Sequence, residues 1–286
     1  MKRTRLIILS FLLFSPLFIY SQEIGKIGEF QRAAAFSIIN PDLIYVLDKG
    51  TSEVIKIDST GREIKKIGGT GWDDYTFDNP VDLCATILRV YITDKNNSRI
   101  QVYDKDLNFL FSLDPKNFTQ TQSLFKYPVS AQASNFGDLY VADSDNKQII
   151  RFNATWEFVN SFGGYSYGKF AVADPIKLAV DNNSSIYLID GKRILVYDQF
   201  GNGIASYNLS EIPVNLHIQN NIMTVVFGSY LLIAPVNGEH TTPQFKKYSP
   251  KTEASLIDAI EYGDRIYILT ENSISIYNRD SIEQKD

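Results

Sequence analysis

A short apolar segment recurs six times along this chain at nearly constant spacing, and that period confines the fold to a repeat architecture. The copies are LIYVLD at 43–48, RVYITD at 89–94, DLYVAD at 138–143 and SIYLID at 185–190, with weaker ones in IMTVVF at 222–227 and RIYILT at 265–270. Anchored on the tyrosine, or on Thr224 in its place, they stand at 45, 91, 140, 187, 224 and 267. Successive units are therefore 46, 49, 47, 37 and 43 residues apart. Six units of about 44 residues account for the chain from residue 23 to its end.

Each anchor segment is followed by a second run, such as VIKID at 54–58, IQVYD at 100–104 and ILVYD at 194–198. A third run precedes it, opened by proline at Pro80, Pro128, Pro175 and Pro213, and a fourth follows, as in EIKKIG at 63–68 and NFLFSL at 108–113. Short β-branched and aromatic runs separated by turn residues are strands. Four per unit, six times over, predict an all-β fold: a six-bladed β-propeller of four-stranded antiparallel blades, forming one domain over residues 23–286. The last unit runs into the polar stretch Arg279 to Asp286 without a fourth run, while EIGKIGEF at 23–30 repeats the pattern of EIKKIGGT at 63–70. The N-terminal strand is therefore expected to complete the last blade and close the ring, which removes its open edges. The run from Ile222 to Val236 departs most from the repeat and leaves the regularity of blade five open.

These residues resemble NHL repeats, in which an apolar strand ends in Asp, with Asn three positions on and Arg-Ile at five and six. Asp94, Asn97, Arg99 and Ile100 match in full, and Asp143, Asn146, Gln148 and Ile149 match with Gln for Arg. Unit one keeps Asp48 but carries Thr51, Glu53 and Val54, and units four to six diverge further. The resemblance spans the chain after the first 22 residues, is strongest from 40 to 200, and implies the propeller. NHL-type propellers serve as protein-binding, RNA-binding and occasionally lyase domains, so the function must be argued from the site. The recurring Asp48, Asp94, Asp143 and Asp190 are read as turn-makers, since an Asx side chain can bond nearby backbone N–H groups. Asp143-Ser144-Asp145-Asn146 begins like a calcium loop, but neither a Gly at its sixth position nor a Glu at its twelfth completes it.

The N-terminus has the form of a secretory signal peptide over residues 1–22: Lys2, Arg3 and Arg5, then an uncharged apolar stretch from Leu6 to Tyr20, then Ser21-Gln22. The expected destination is periplasmic or secreted, with no membrane-spanning segment after removal of the signal. Loss of those three cations leaves 25 basic against 33 acidic residues, about −8 in place of −5. An acidic surface without a basic block argues against nucleic acid as a partner. Cys84 is the only cysteine, so no intrachain disulfide exists, and its place in an alternating segment reads as a small core hydrophobe.

The connections differ between the two halves of the repeat array. Six steps separate the Asp position from the next strand in units one to three, and four in units four to six. The links at 69–79, 114–127 and 164–174 are long and rich in aromatics. In an antiparallel blade these turns and links leave from one face. Phe77 and Phe125 each stand three residues before a proline and read as packing anchors. Trp72, Tyr75, Phe118, Tyr165 and Tyr167 have no such role and are the candidate partner-binding residues.

Where the inner strands begin, Asp82, Ser130, Lys177 and Asn215 recur two residues after each proline. Cys84, Gln132, Ala179 and His217 follow two further on. Alternation turns both sets toward the channel, giving a polar collar of Asp82, Ser130, Lys177, Asn215 and His217. The chain has two histidines, His217 and His240, too few for a multi-histidine zinc site. Asp82, Asn215 and Asp258 are partial candidates for a calcium site without a clear base, and no catalytic motif is present. The expected function is thus that of an exported, monomeric, non-catalytic propeller without cofactor or metal, binding a protein, peptide or glycan through the aromatic links. A metal-dependent lactonase or lyase using the collar is the alternative.

Overall fold

The computed structural model describes residues 23–117, 124–236, 238 and 241–282. The signal-like segment, Phe118 and His240 lie outside the described residues.

Six four-stranded antiparallel sheets follow one another along the chain. Blade one comprises β2 (Ala33–Asn40), β3 (Leu43–Asp48), β4 (Glu53–Ile57) and β5 (Glu63–Gly68). Blade two holds β6 (Pro80–Ala85), β7 (Arg89–Asp94), β8 (Arg99–Asp104) and β9 (Phe109–Leu113). Blade three holds β10 (Pro128–Ala133), β11 (Leu139–Asp143), β12 (Gln148–Phe152) and β13 (Phe158–Phe162). Blade four holds β14 (Pro175–Val180), β15 (Ile186–Asp190), β16 (Arg193–Tyr197) and β17 (Gly203–Asn208). Blade five holds β18 (Asn215–Gln219), β19 (Ile222–Val226), β20 (Leu231–Pro235) and β21 (Lys246–Tyr248). Blade six joins β22 (Asp258–Tyr262), β23 (Arg265–Leu269) and β24 (Ile274–Asn278) to the N-terminal strand β1 (Glu23–Ile27).

The expected closure is present. Strand β1 pairs antiparallel with β24, Ile27 opposite Ile274 and Glu23 opposite Tyr277, so the two ends of the array share one sheet. Blade five has all four strands, but β21 is three residues long and follows β20 only after a connection of ten. No helix among the described residues is long and apolar enough to cross a membrane.

The anchor segments form the second strand of every blade, buried between neighbouring sheets. The repeat tyrosines show why this position is kept aromatic with a polar tip. The Tyr45 hydroxyl donates to the Lys105 carbonyl of the next blade at 2.5 Å, and the Tyr140 hydroxyl reaches the Gln199 carbonyl of its own next blade at 3.4 Å. Desolvation by burial holds the phenols of Tyr45 and Tyr140 above the ordinary tyrosine range. Phe77 and Phe125 are fully buried, as their spacing from proline implied.

Asp48 and Asp143 accept backbone N–H groups of their own turns, Asp94 and Asp190 bond side chains that follow them, and all four also do something the sequence did not show. Each accepts from backbone N–H groups of the link that enters its own blade. Asp48 takes the N–H of Gln31 at 2.7 Å and of Arg32 at 2.9 Å, and Asp94 that of Asp78 at 2.8 Å. Asp143 takes that of Tyr127 at 2.8 Å, and Asp190 those of Ala173 and Asp174 at 2.8 and 2.5 Å. All four carboxylates are buried, where such charge-assisted bonds offset the cost of desolvation. In blades two and four an arginine that opens the third strand, opposite the Asp, completes the clamp. Arg99 bonds Asp94 at 2.9 Å and the carbonyls of Asp73 and Thr76, while Arg193 bonds Asp190 at 2.7 Å and the carbonyls of Lys169 and Ala171. The motif is thus a device for fixing the links.

Candidate functional site

Fixed links display two aromatic side chains. The loop bearing Trp72 is closed at its base by Phe77 N–H to the Gly69 carbonyl at 2.9 Å and Gly71 N–H to the Phe77 carbonyl at 3.0 Å. The Asn97 amide adds a bond to the Gly71 carbonyl at 3.0 Å. On this tied loop Trp72 is 77% exposed. The loop before blade four is closed by Val172 N–H to the Gly163 carbonyl at 2.7 Å, and Tyr165 at its tip is 100% exposed. Tyr75 and Tyr167 are placed differently. Tyr75 packs on Tyr103 and Phe109, with ring centroids 6.0 and 5.5 Å apart, and its N–H donates to the Gln101 side chain at 3.3 Å. Tyr167 is partly buried against the cluster that holds Phe162 and Tyr197.

The collar occurs as two layers. Asp82, Lys177 and Asn215 line a cavity of about 290 Å³ at the end of the channel where the inner strands begin. Asp82 is the hub. It accepts from the Lys177 ammonium, from the Ser130 hydroxyl at 2.5 Å and from the Ala131 and Leu83 N–H groups at 3.3 and 2.8 Å. Ser130 in turn accepts from the Leu178 N–H at 3.0 Å. Burial works to lower the Lys177 ammonium, but the carboxylates of Asp82 and Asp258 outweigh it and hold the group above the ordinary lysine range. A lysine held protonated is no general base, and a serine whose hydroxyl both donates and accepts within the ring is no free nucleophile.

The same logic runs around the ring. Asn215 and Asp258 each accept from the N–H of their own following residue at 2.9 and 2.8 Å, and Asp258 also takes the Phe36 N–H of blade one at 3.3 Å. Inner strands expose backbone N–H groups to the channel, and these side chains satisfy them. Among the described residues no three His, Cys, Asp or Glu side chains converge as a metal site.

His217 belongs to the other layer, a correction to its grouping with the collar. Its Nε2 lies 2.9 Å from Asp258, but its ring faces a second cavity of about 520 Å³ at the opposite end of the channel. Cys84, Gln132 and Ala179 share this floor, and burial pushes the Cys84 thiol up to about 11. The walls come from the turns that join inner to second strands, a region in which the sequence analysis found no site. Ile87 and Leu88 line this mouth at 75% and 71% exposure, and Phe136 stands beside it at 72%. Arg89 is its one charged side chain, with the guanidinium 4.8 Å over the Trp156 ring.

The chain matches no family profile. Over 150 residues it is 30% identical to the protein brain tumor of Drosophila melanogaster, covering 51% of this chain; it spans 14% of that protein's length. Among solved structures it is similar to a catalytically inactive virginiamycin B lyase from Staphylococcus aureus with quinupristin, with a TM-score of 0.59 and 13% identity. That match covers 86% of this chain and 80% of the other. A streptogramin B lyase matches with a TM-score of 0.55 and 12% identity, over 94% of this chain and 96% of the other. At these identities the likeness is one of fold, and it agrees with six four-stranded blades.

Proposed function

We propose that this chain is an exported, monomeric NHL-like propeller that binds a protein, peptide or glycan partner through the face carrying the long links. Trp72 and Tyr165 are its anchors; Tyr75, Tyr167 and, from the sequence, Phe118 are the further candidates. The observation that carries this reading is the pairing of exposure with fixation: two aromatic rings stand free on loops whose backbones are tied at the base and clamped by Asp–Arg pairs with buried carboxylates. Side chains that need no ordering on association lose little entropy there, and rigid aromatics dominate binding energetics. Binding is preferred over lactonase or lyase chemistry because the collar's acid, base and hydroxyl groups are already committed to one another and to the backbone. A metal ion at Asp82 would have to displace the Lys177 ammonium.

The test is a quantitative pull-down from the envelope extract of the source cells with the chain from residue 23 onward. Its comparison is a Trp72→Ala/Tyr165→Ala variant of unchanged melting temperature. A partner kept by the first and lost by the second supports the reading. Equal retention by both removes the aromatic face, and chelator-sensitive lactone hydrolysis abolished by Asp82→Asn would establish the enzymatic alternative.

A further inference from the structure

The cavity opposite the links carries one cation without a counter-charge beside exposed apolar side chains, and it shares no residue with the link face. We infer that it binds the free C-terminus of an apolar peptide, with Arg89 receiving the carboxylate. This goes beyond the proposed function and stands independently of it.

Three features of the cavity wall converge on that chemistry. The first is an uncompensated cation. Arg89 lines the cavity together with no carboxylate, and among the described residues it forms no ion pair. Its neighbours are the Trp156 ring beneath it and Tyr91 beside it, which orient the guanidinium without neutralising it. A planar guanidinium held in place matches a carboxylate through two parallel hydrogen bonds.

The second feature is apolar surface that nothing covers. Ile87 and Leu88 immediately precede Arg89 and line the same mouth with Ile38 and Ile39, so an apolar side chain next to the carboxylate would lose water against them. The third is a row of carboxamides across the mouth. Asn135 donates to Asn182 at 3.1 Å, and the Asn182 backbone N–H donates to Asn221 at 3.3 Å. The exposed Asn182 and Asn220 side chains add further amide groups to the mouth. Carboxamides donate and accept together, as a peptide backbone does. A fatty acid would use the cation and the apolar wall but leave these amides unanswered. The volume of about 520 Å³ falls within the roughly 300–1,000 Å³ typical of small-ligand sites.

Calorimetric titration of the folded chain with acetyl-Ala-Leu-Leu tests this directly, against the same peptide as its C-terminal amide and against decanoate. The free acid should bind at least about tenfold more tightly than the amide, the loss expected when a charge-assisted bond is removed. Arg89→Gln should lower affinity for the acid by about tenfold while leaving the amide unaffected, and Arg89→Lys, which keeps the charge but not the fork, should fall between. Leu88→Asn should weaken acid and amide alike. In a Trp72→Phe background Trp156 is the sole tryptophan, and its emission should respond to the acid, placing it beside Arg89. Equal binding of acid and amide, affinity indifferent to Arg89, or no binding at millimolar peptide would each overturn the inference. Decanoate binding as tightly as the peptide would overturn the peptide assignment. Because Trp72→Ala/Tyr165→Ala leaves this cavity intact, failure here and failure of the link-face reading give separate signatures.

Discussion

The two ends of the channel are built from the same six inner strands, and their polar groups have met different fates. At the end where those strands begin, Asp82, Ser130 and Lys177 answer one another and the backbone, and both charges of the cavity are paired. At the end where they finish, Arg89 has no counter-charge and apolar side chains face solvent. The buried Asp82–Lys177 ion pair would single out the first end as the better site. Accounting for the partners of these groups reverses the order, because a group that is already satisfied stabilises the fold and one that is not awaits a ligand.

The contrast is open to direct attack, starting from the closed end. Asp82→Ala leaves the Lys177 ammonium buried without its partner, and we expect a loss of about 3–5 kcal/mol in chemical denaturation. The double variant Asp82→Leu/Lys177→Met should recover most of that loss. A single variant as stable as the parent would mean that the network is not structural, and would return Asp82 to the list of functional groups.

His217 lines the open cavity but bonds the buried Asp258, and should behave in between. His217→Ala removes a hydrogen bond from the fully buried Asp258 while leaving the Phe36 N–H in place. A loss of about 1.5–3 kcal/mol is expected from denaturant midpoints, the range for a bond to a charged group. At the open end, Arg89→Gln forfeits stacking on Trp156 and a hydrogen bond to the Tyr91 hydroxyl, both near the surface, and stability should change by less than about 1 kcal/mol. A larger drop would show that Arg89 is bound into the fold and weaken the contrast from the other side.

The smallest signal is chemical. Burial raises the Cys84 thiol from 9.0 to about 11, which leaves roughly a hundredth of the ordinary thiolate fraction at neutral pH. Alkylation by iodoacetamide at pH 8 should therefore be at least about a hundredfold slower in the native chain than in urea. It should rise steeply with pH through the range where unfolded cysteine would already have levelled off. Rapid native alkylation would mean that the floor of the open cavity is wetter than its walls suggest.

Much of the fold was legible because every blade obeys the same period. The anchor runs, the prolines before the inner strands and the likeness of residues 23–30 to residues 63–70 give the six sheets and their closure. Strand β21 was not legible, since Lys246-Lys247-Tyr248 is too short and too polar to stand out after a ten-residue connection. The collar was visible as a recurring position, but only coordinates show that Ser130 and Lys177 converge on the one carboxylate of Asp82. The opposite cavity was missed because its walls come from the inner turns of several blades, which share no motif. One trace existed: Ile87 and Leu88 occupy a turn, where polar residues are the rule, and two adjacent apolar residues there call for an explanation.

Closure by β1 also sets an order of events. Glu23 and Tyr277 meet in one sheet, so the strand made first is among the last to find its partner. Blades one to five can assemble from neighbours in sequence, each adding short-range contacts, whereas the final sheet must wait for the whole chain and bear the entropy of joining its ends. Until then β24 presents an open edge, the form of surface most prone to pairing with another chain. The ring is therefore most vulnerable at one moment and one seam, and a chain that leaves the cell unfolded would meet that moment only after crossing.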